Sequence, residues 1–163
     1  MNSFQTLKII RRCFSSSKKV ELLKILPNQL LRKTEQANTK EIIENNKLIA
    51  LYFSAHWCPP CRQFTPMLSE IYDDWKNQGK SIEVVFVSAD KNESEFDKYY
   101  NDMPWLAIPK NDSKSIENLN QLFEVHGIPT LIVVDNKGNV IDSAAKNTVS
   151  KEFTDAFDKW DKI

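Results

Sequence analysis

The chain has 163 residues, of which 41 % are hydrophobic and 27 % are charged, with 22 basic and 22 acidic side chains. This length and composition are ordinary for one globular domain with a single core. The sequence contains no run of about 18 apolar residues that could span a membrane, so we expect no membrane association. It also contains no internal repeat and no glycine-rich phosphate loop.

The first 19 residues differ in composition from the rest of the chain. All 22 acidic residues lie from Glu21 onward, whereas residues 1–19 contain four serines and these basic residues: Lys8, Arg11, Arg12, Lys18 and Lys19. Basic, serine-rich and acid-poor segments are typical of mitochondrial transit peptides. We interpret residues 1–19 as a transit peptide, with a mitochondrial location. The alternative is a disordered basic tail on a cytoplasmic protein.

Residues 20–163 are predicted to form one domain of acidic character. Because five of the 22 basic residues lie before Val20, this segment carries 17 basic and 22 acidic side chains, a net charge near −5. An acidic domain is repelled by the phosphate backbone, which argues against nucleic-acid binding.

The first half of this domain, after a short segment at 20–31, is predicted to contain two buried strands and two helices. Nearly continuous apolar runs indicate strands at 48–53 and 82–87. The helix after the first strand has an apolar stripe at three-and-four spacing: Phe64, Met67, Leu68, Ile71 and Trp75. Asn92 and Glu95 form a capping pattern at the start of the second helix.

The second half is predicted to contain two helices and a hairpin. We expect a helix at 113–123, and a turn at 135–139 that joins strands 131–134 and 140–141. A closing helix is expected to carry three aromatic residues on one face: Phe153, Phe157 and Trp160. This order of elements predicts an α/β fold with a central mixed β-sheet and helices on both faces.

Two cysteines separated by two prolines stand where the strand at 48–53 meets its helix. Pro59 and Pro60 fit only the first helical turn, so Cys58 is predicted to cap the helix. The unpaired N–H groups there stabilise a thiolate, which lowers the pKa of Cys58 below the free value of about 8.5. Cys58 is therefore the predicted nucleophile. Cys61, one turn further in, is the predicted resolving thiol that closes the disulfide with Cys58.

Other interpretations of the cysteine pair are less favoured. A structural zinc site needs four ligands, and besides the pair the chain offers only Cys13, His56 and His126. We predict no metal site, and we interpret both histidines as loop residues. Idle thiols or a purely structural disulfide remain alternatives, although a bridge this short restricts the unfolded chain little.

A second motif, Gly127-Ile128-Pro129-Thr130, comes directly before the strand at 131–134. Proline cannot donate a hydrogen bond to a neighbouring strand, so Pro129 must lie at an edge, at a bulge or in a cis turn. The residues by themselves leave these three options open.

The two motifs together resemble the thioredoxin superfamily. Three segments, 52–66, 85–90 and 103–109, are similar to its tryparedoxin and nucleoredoxin branch, and the resemblance covers about residues 20–160. It implies a thioredoxin fold and a protein-disulfide reductase that forms a mixed disulfide with its substrate. It also implies that Pro129 is cis and that its loop faces the cysteine pair.

The resemblance further implies how the site is used. Substrate-binding residues are expected around the pair: Trp57, Pro59, Pro60, Ile128 and Pro129. Arg62 and the segment around Trp105 are further candidates for the substrate groove. The implied partners are protein disulfides such as those of peroxiredoxins, and a low-molecular-weight thiol or a reductase as electron donor. We expect a monomer with no cofactor beyond the redox-active disulfide.

One residue departs from the thioredoxin pattern. Thioredoxins proper have a buried aspartate six residues before the first cysteine, where this chain has Tyr52. The tryparedoxin branch also lacks that aspartate. Tyrosine, with a pKa near 10, is a poor base at neutral pH, so the proton acceptor of Cys61 is left open. The alternative function is a nucleoredoxin-like module that binds and regulates partners in a redox-dependent way.

Overall fold

The computed structural model describes residues 19–163, which form a mixed sheet of seven strands. The strands are β1 (Gln29–Arg32), β2 (Glu35–Asn38), β3 (Leu48–Ser54), β4 (Ile82–Ser88), β5 (Leu106–Ala107), β6 (Thr130–Asp135) and β7 (Val140–Asp142). Their order in the sheet is β2-β1-β5-β4-β3-β6-β7. The central strand β3 pairs in parallel with β4 and antiparallel with β6. Residues 1–18 of the predicted transit peptide lie outside the described part of the chain.

Helices cover both faces of the sheet, as predicted. They are α1 (Leu22–Ile25), α2 (Thr39–Asn45), α3 (Pro59–Asn77), α4 (Glu93–Tyr100), α5 (Ser113–Leu122), α6 (Ala145–Glu152) and α7 (Ala156–Trp160), with a 3-10 turn at Phe153–Asp155. One hydrophobic cluster joins the sheet to α3, α4, α6 and α7. A second cluster joins the opposite face to α1, α2 and α5. No helix in this part of the protein is both long enough and apolar enough to cross a bilayer.

The two continuous apolar runs are the central strands of the sheet. Every residue of β3 and of β4 is buried, because helices pack on both faces. Side chains alternate between the faces, so Tyr52 belongs to the first cluster and its neighbour Leu51 to the second. The stripe of α3 packs on the first cluster, with Met67 only partly buried.

The sequence prediction lacked several short elements: α1, the two strands of the β1–β2 hairpin, β5 and α2. The β1–β2 hairpin has a single fully buried side chain, that of Leu30, so its apolar signal is weak. Strand β5 has two residues, and α2 has seven, of which Thr39 and Ile43 are buried. Elements this short depend on their neighbours in the fold for stability more than on their own sequence.

The prediction of one closing helix with three aromatic residues on one face was wrong. The helix is interrupted at Phe153, whose backbone has φ +52°. An unbroken helix would place residues 153, 157 and 160 on one face. Because of the interruption, the side chain of Phe153 is 54 % exposed, whereas Phe157 and Trp160 are buried.

A buried carboxylate lies at the start of β4. The Tyr72 hydroxyl donates a hydrogen bond of 2.7 Å to Glu83, and the backbone N–H of Val84 donates another of 3.0 Å. Arg32 and Lys76 lie 3.5 and 3.6 Å from the same carboxylate. Burial, and then the negative charge of Glu83, raise the pKa of Tyr72. Glu83 thereby links β1, α3 and β4.

The start of the described chain is attached to the turn between β6 and β7. Lys19 forms a β-bridge with Asn139, and the backbone N–H of Val20 donates a 2.6 Å hydrogen bond to the carbonyl oxygen of Gly138. Gly138 has φ +87°, and a Cβ atom there would lie 1.7 Å from the carbonyl oxygen of Val20. The contact therefore requires glycine.

Replacement of Gly138 by alanine should separate the two segments and destabilise the fold. Positive φ and the clash act together, so we expect the free energy of unfolding to fall by more than about 1 kcal/mol. Urea denaturation measures this loss. Gly127→Ala is the matched control, because an added Cβ there meets no atom within 4 Å. Similar losses in both variants would contradict this account of Gly138.

Candidate functional site

Both cysteines lie at the N-terminus of α3, directly after the central strand. Cys58 is the N-cap residue, and Pro59 and Pro60 occupy the first turn, as predicted. The two sulfur atoms lie at disulfide distance, with the Cα atoms 5.2 Å apart. Cys61 is fully buried, whereas Cys58 keeps 4 % of its surface exposed. Substrate can therefore reach Cys58 more easily than Cys61.

The loop before β6 closes the site from the opposite side. The Ile128–Pro129 peptide bond is cis, as the resemblance implied. The carbonyl oxygen of Ile128 lies 3.7 Å from the Sγ atom of Cys58. Thr130 donates a 2.7 Å hydrogen bond to the carbonyl oxygen of Gly127, which closes the turn. The structure thus brings Cys58 and the predicted substrate loop together from positions 70 residues apart.

Apolar side chains surround the exposed edge of the pair. Trp57 is 48 % exposed, and its indole N–H donates a 3.0 Å hydrogen bond to the carbonyl oxygen of Ala89. Pro59 and Pro60 are also exposed. An exposed aromatic ring held by a hydrogen bond offers a rigid surface on which a peptide can pack.

Asp90 supports this loop, and the sequence analysis assigned it no role. Its side chain is 3 % exposed, and its carboxylate accepts hydrogen bonds from the backbone N–H of His56 at 2.7 Å and from the Ser88 hydroxyl at 2.8 Å. A usable signal was present, because an acidic residue follows the apolar strand β4. Parallel strands end at the same edge of a sheet, so Asp90 had to lie near the end of β3.

Of the two further candidates for the substrate groove, Arg62 lies on the surface and Trp105 lies in the core. The guanidinium group of Arg62 is exposed and donates a 2.8 Å hydrogen bond to the carbonyl oxygen of His56. Trp105 is only 1 % exposed and packs edge-on against Tyr52, so it belongs to the core and does not line a groove. Trp105 belongs to the segment 103–109 that is similar to the tryparedoxin and nucleoredoxin branch, and residues 105–108 are all buried. The indole ring of Trp105 fills a space in the core that forms only when the chain is folded.

The two histidines lie in loops, as expected. His56 is exposed and packs against the ring of Tyr99 at 5.8 Å. His126 is exposed in the segment before the cis-proline turn. Within residues 19–163, no three side chains of His, Cys, Asp or Glu are grouped as metal ligands.

Tyr52 lies on β3 and is fully buried. Burial, followed by the neighbouring Tyr99, raises its pKa above the ordinary value for tyrosine. Its hydroxyl lies 2.7 Å from the Thr65 hydroxyl. Tyr52 is therefore protonated at neutral pH and does not act as the base for Cys61.

Comparison with known proteins agrees with this geometry. A thioredoxin-like family model matches residues 45–140, which is more than half of the chain. The chain belongs to the thioredoxin-like family. Tryparedoxin from Trypanosoma brucei brucei is 40 % identical over 142 residues, which cover 85 % of this chain and 96 % of the tryparedoxin. Nucleoredoxin from Danio rerio is 44 % identical over 117 residues, or 72 % of this chain.

Solved structures of relatives have the same fold. The crystal structure of tryparedoxin I from Crithidia fasciculata has a TM-score of 0.76 and 42 % identity, and the match covers 82 % of this chain and 92 % of that one. These relatives confirm the thioredoxin fold and the place of the chain in the branch of tryparedoxins and nucleoredoxins. The predicted class, a thioredoxin-like oxidoreductase, is confirmed at that level. The chain matches only 28 % of the length of the Danio rerio nucleoredoxin.

Replacement of Asp90 by asparagine should weaken the support of the Trp57 loop. Asparagine can accept the hydrogen bond from the His56 N–H, but its NH2 group cannot accept one from the Ser88 hydroxyl, and the negative charge is lost. Because a hydrogen bond to a charged group contributes about 1.5–3 kcal/mol, we expect the free energy of unfolding to fall by about 2 kcal/mol. Disulfide reduction should slow as well.

Urea denaturation and an insulin-reduction assay measure the two effects. Asp97→Asn, on the exposed surface of α4, is the control, and it should change stability by no more than about 0.5 kcal/mol. If the two variants are equally stable, Asp90 does not support the loop.

Proposed function

We propose that this chain is a protein-disulfide reductase that uses the Cys58–Cys61 dithiol. The observation that carries the proposal is the position of Cys58, which caps α3 and faces the carbonyl oxygen of Ile128 at 3.7 Å. The positive end of the α3 dipole, at which Cys58 lies, favours the thiolate. The cis-proline loop supplies backbone groups beside that sulfur with which an extended substrate can pair.

The reaction takes place in two exchange steps. The Cys58 thiolate attacks one sulfur of the substrate disulfide, so a mixed disulfide forms and the second substrate sulfur leaves as a thiolate. The Cys61 thiolate then attacks the Sγ atom of Cys58. This step closes the Cys58–Cys61 disulfide and releases the first substrate sulfur as a thiolate. The substrate gains two electrons from the protein dithiol. An external thiol then supplies two electrons to the protein and reduces its disulfide again.

The environment of the two sulfurs supports their different roles. Cys61 is fully buried, so a bulky substrate disulfide cannot reach it before the mixed disulfide exists. Trp57 precedes the more accessible Cys58, and the backbone of Ile128 faces its sulfur, so Trp57, Ile128 and Pro129 can provide apolar contacts for a peptide. Pro59 and Pro60 complete this surface.

Partners follow from the same chemistry. We propose that the substrates are protein disulfides such as those of peroxiredoxins, and that the chain acts as a monomer with no cofactor beyond its own disulfide. The donor is a low-molecular-weight thiol or a reductase. A solved structure of tryparedoxin II holds glutathionylspermidine, which supports a thiol of this kind as donor.

A second candidate is a redox-dependent binding module. The 44 % identity to nucleoredoxin over 117 residues supports it as much as it supports a reductase. A binding module would hold its partner when both cysteines are replaced by serine, whereas the reductase would lose its activity.

Trapping variants test the roles of the two cysteines. Cys61→Ser should accumulate mixed disulfides with substrate proteins, because the second exchange step is lost. Cys58→Ser should accumulate none, since the buried Cys61 does not attack. Non-reducing gels followed by mass spectrometry of the trapped species measure both.

The double variant Cys58→Ser, Cys61→Ser serves as the control for non-covalent association. Equal trapping by both single variants, or by neither, would contradict the assignment. Retention of the same partners by the double variant would instead favour the binding module.

We propose further that residues 1–19 direct import into mitochondria. Apolar side chains accompany Lys8, Arg11 and Arg12 in this segment, with no acidic residue beside them. Arg11→Glu combined with Arg12→Glu should therefore leave the protein in the cytosol, while the purified domain keeps full reductase activity. Arg12-Cys13-Phe14-Ser15 is similar to a matrix-protease cleavage site, so we expect the mature N-terminus near Ser15. Fractionation of cells and mass spectrometry of the mature N-terminus provide the measurement. An intact N-terminus on a cytosolic pool would favour a basic tail.

A further inference from the structure

Four hydroxyl groups form a buried cluster one helical turn after Cys61. The members of this hydroxyl cluster are Tyr52 and Ser54 on β3, Thr65 on α3 and Tyr99 on α4. Their side chains are buried, with at most 7 % of any residue exposed. The Oγ1 atom of Thr65 is the centre, because it lies 2.7 Å from the Tyr52 hydroxyl, 2.6 Å from the Tyr99 hydroxyl and 2.9 Å from the carbonyl oxygen of Cys61.

The number of protons determines the direction of every hydrogen bond in the cluster. A carbonyl oxygen only accepts, so the single Thr65 proton goes to Cys61. Both tyrosines must then donate to Thr65. Because the Tyr99 proton is used, Ser54 must donate across the 2.9 Å contact to Tyr99. Four hydroxyls supply four protons for four bonds, and the chains of donors end at the carbonyl oxygen of Cys61.

This arrangement goes beyond an ordinary helical contact. A threonine hydroxyl that donates to the carbonyl four residues earlier is common in helices and needs no partner. Here two tyrosines from two other elements also donate to that hydroxyl. Phenylalanine at both positions would fill the same space, so packing alone does not account for the hydroxyls. In a low-dielectric interior such connected bonds strengthen one another, and each missing partner is costly.

We propose that Thr65 is a positioning residue for the second exchange step, because it fixes Cys61 relative to β3 and α4. The proposal rests on the reductase function proposed above. In that step the Cys61 sulfur attacks Cys58, a new S–S bond forms, and the bond from Cys58 to the substrate breaks with release of a thiolate. The attack requires close alignment of the sulfurs. The first step uses Cys58 alone and depends less on the place of Cys61.

A chromogenic aromatic disulfide, 5,5′-dithiobis(2-nitrobenzoic acid), separates the two steps. Each exchange step with the reduced protein releases one coloured thiolate, so stopped-flow absorbance records two phases.

Thr65→Val keeps the shape of the side chain and removes the hydroxyl, and Thr65→Ser keeps the hydroxyl. A misplacement of reacting atoms by about 1 Å can slow a reaction about 100-fold, so we expect Thr65→Val to slow the second phase at least about tenfold. The first phase should change less than about twofold.

Three further variants complete the experiment. Thr65→Ser should restore the wild-type second phase, and Thr34→Val, at an exposed turn, should leave both phases unchanged. Tyr52→Phe removes one donor and keeps the aromatic ring, so it should slow the second phase about threefold even if Thr65→Val does not fold.

The results that would overturn the proposal are distinct from those that would overturn the reductase function. A wild-type second phase in Thr65→Val and Tyr52→Phe, or equal slowing of both phases, would show that the cluster only stabilises the fold. If Thr65→Ser, which keeps the hydroxyl, slows the second phase as much as Thr65→Val, the hydroxyl does not determine the rate and the proposal is wrong. Failure of the reductase function itself would appear separately, as the absence of any mixed disulfide on Cys58 in Cys61→Ser.

Discussion

The site depends on one constraint, which is the short distance along the chain between the end of the buried strand β3 and the start of α3. Cys58 is the N-cap residue of α3, and its side chain makes no capping hydrogen bond to the helix, so its sulfur faces the positive end of the helix dipole. The two prolines that follow lack N–H groups and have a fixed φ, so the helix begins at this point. A thiolate at Cys58 supplies the negative charge that this end of the helix stabilises.

Strand pairing brings the remaining parts of the site to the same edge of the sheet. Because β4 runs parallel to β3, with Ser54 opposite Ser88, the turn at Asp90 lies beside the end of β3. Because β6 runs antiparallel, its first residue Thr130 pairs with Phe53, and the cis-proline loop faces the cysteine pair. Neither contact depends on the cysteines themselves.

Buried polar groups lie at places where they connect separate strands and helices and fix their relative positions. Asp90 connects the end of β4 to the loop before Cys58, and the hydroxyl cluster connects the start of α3 to β3 and α4. Glu83 acts at the opposite edge. Apolar contacts tolerate small shifts, whereas a hydrogen bond requires a narrow range of distances and angles, and a buried polar group that loses its partner is costly. The polar contacts near the cysteines therefore fix the positions of the elements that carry the cysteine pair. The large aromatic core around α3 and α4 packs against these contacts.

The sequence by itself determined the central strands, α3 and the place of both cysteines, because apolar runs, three-and-four spacing and helix-starting prolines act between residues close in the chain. The thioredoxin fold and the cis-proline loop could be inferred by resemblance, although residues 58 and 129 are far apart. The tertiary structure alone decided the β1–β2 hairpin, β5 and the interruption at Phe153, since such short elements depend on the surfaces that they cover. It alone also brought Asp90 to His56, and Tyr52 and Tyr99 to Thr65. Those contacts join separate elements, and only the order and register of the strands bring their polar groups within hydrogen-bond distance.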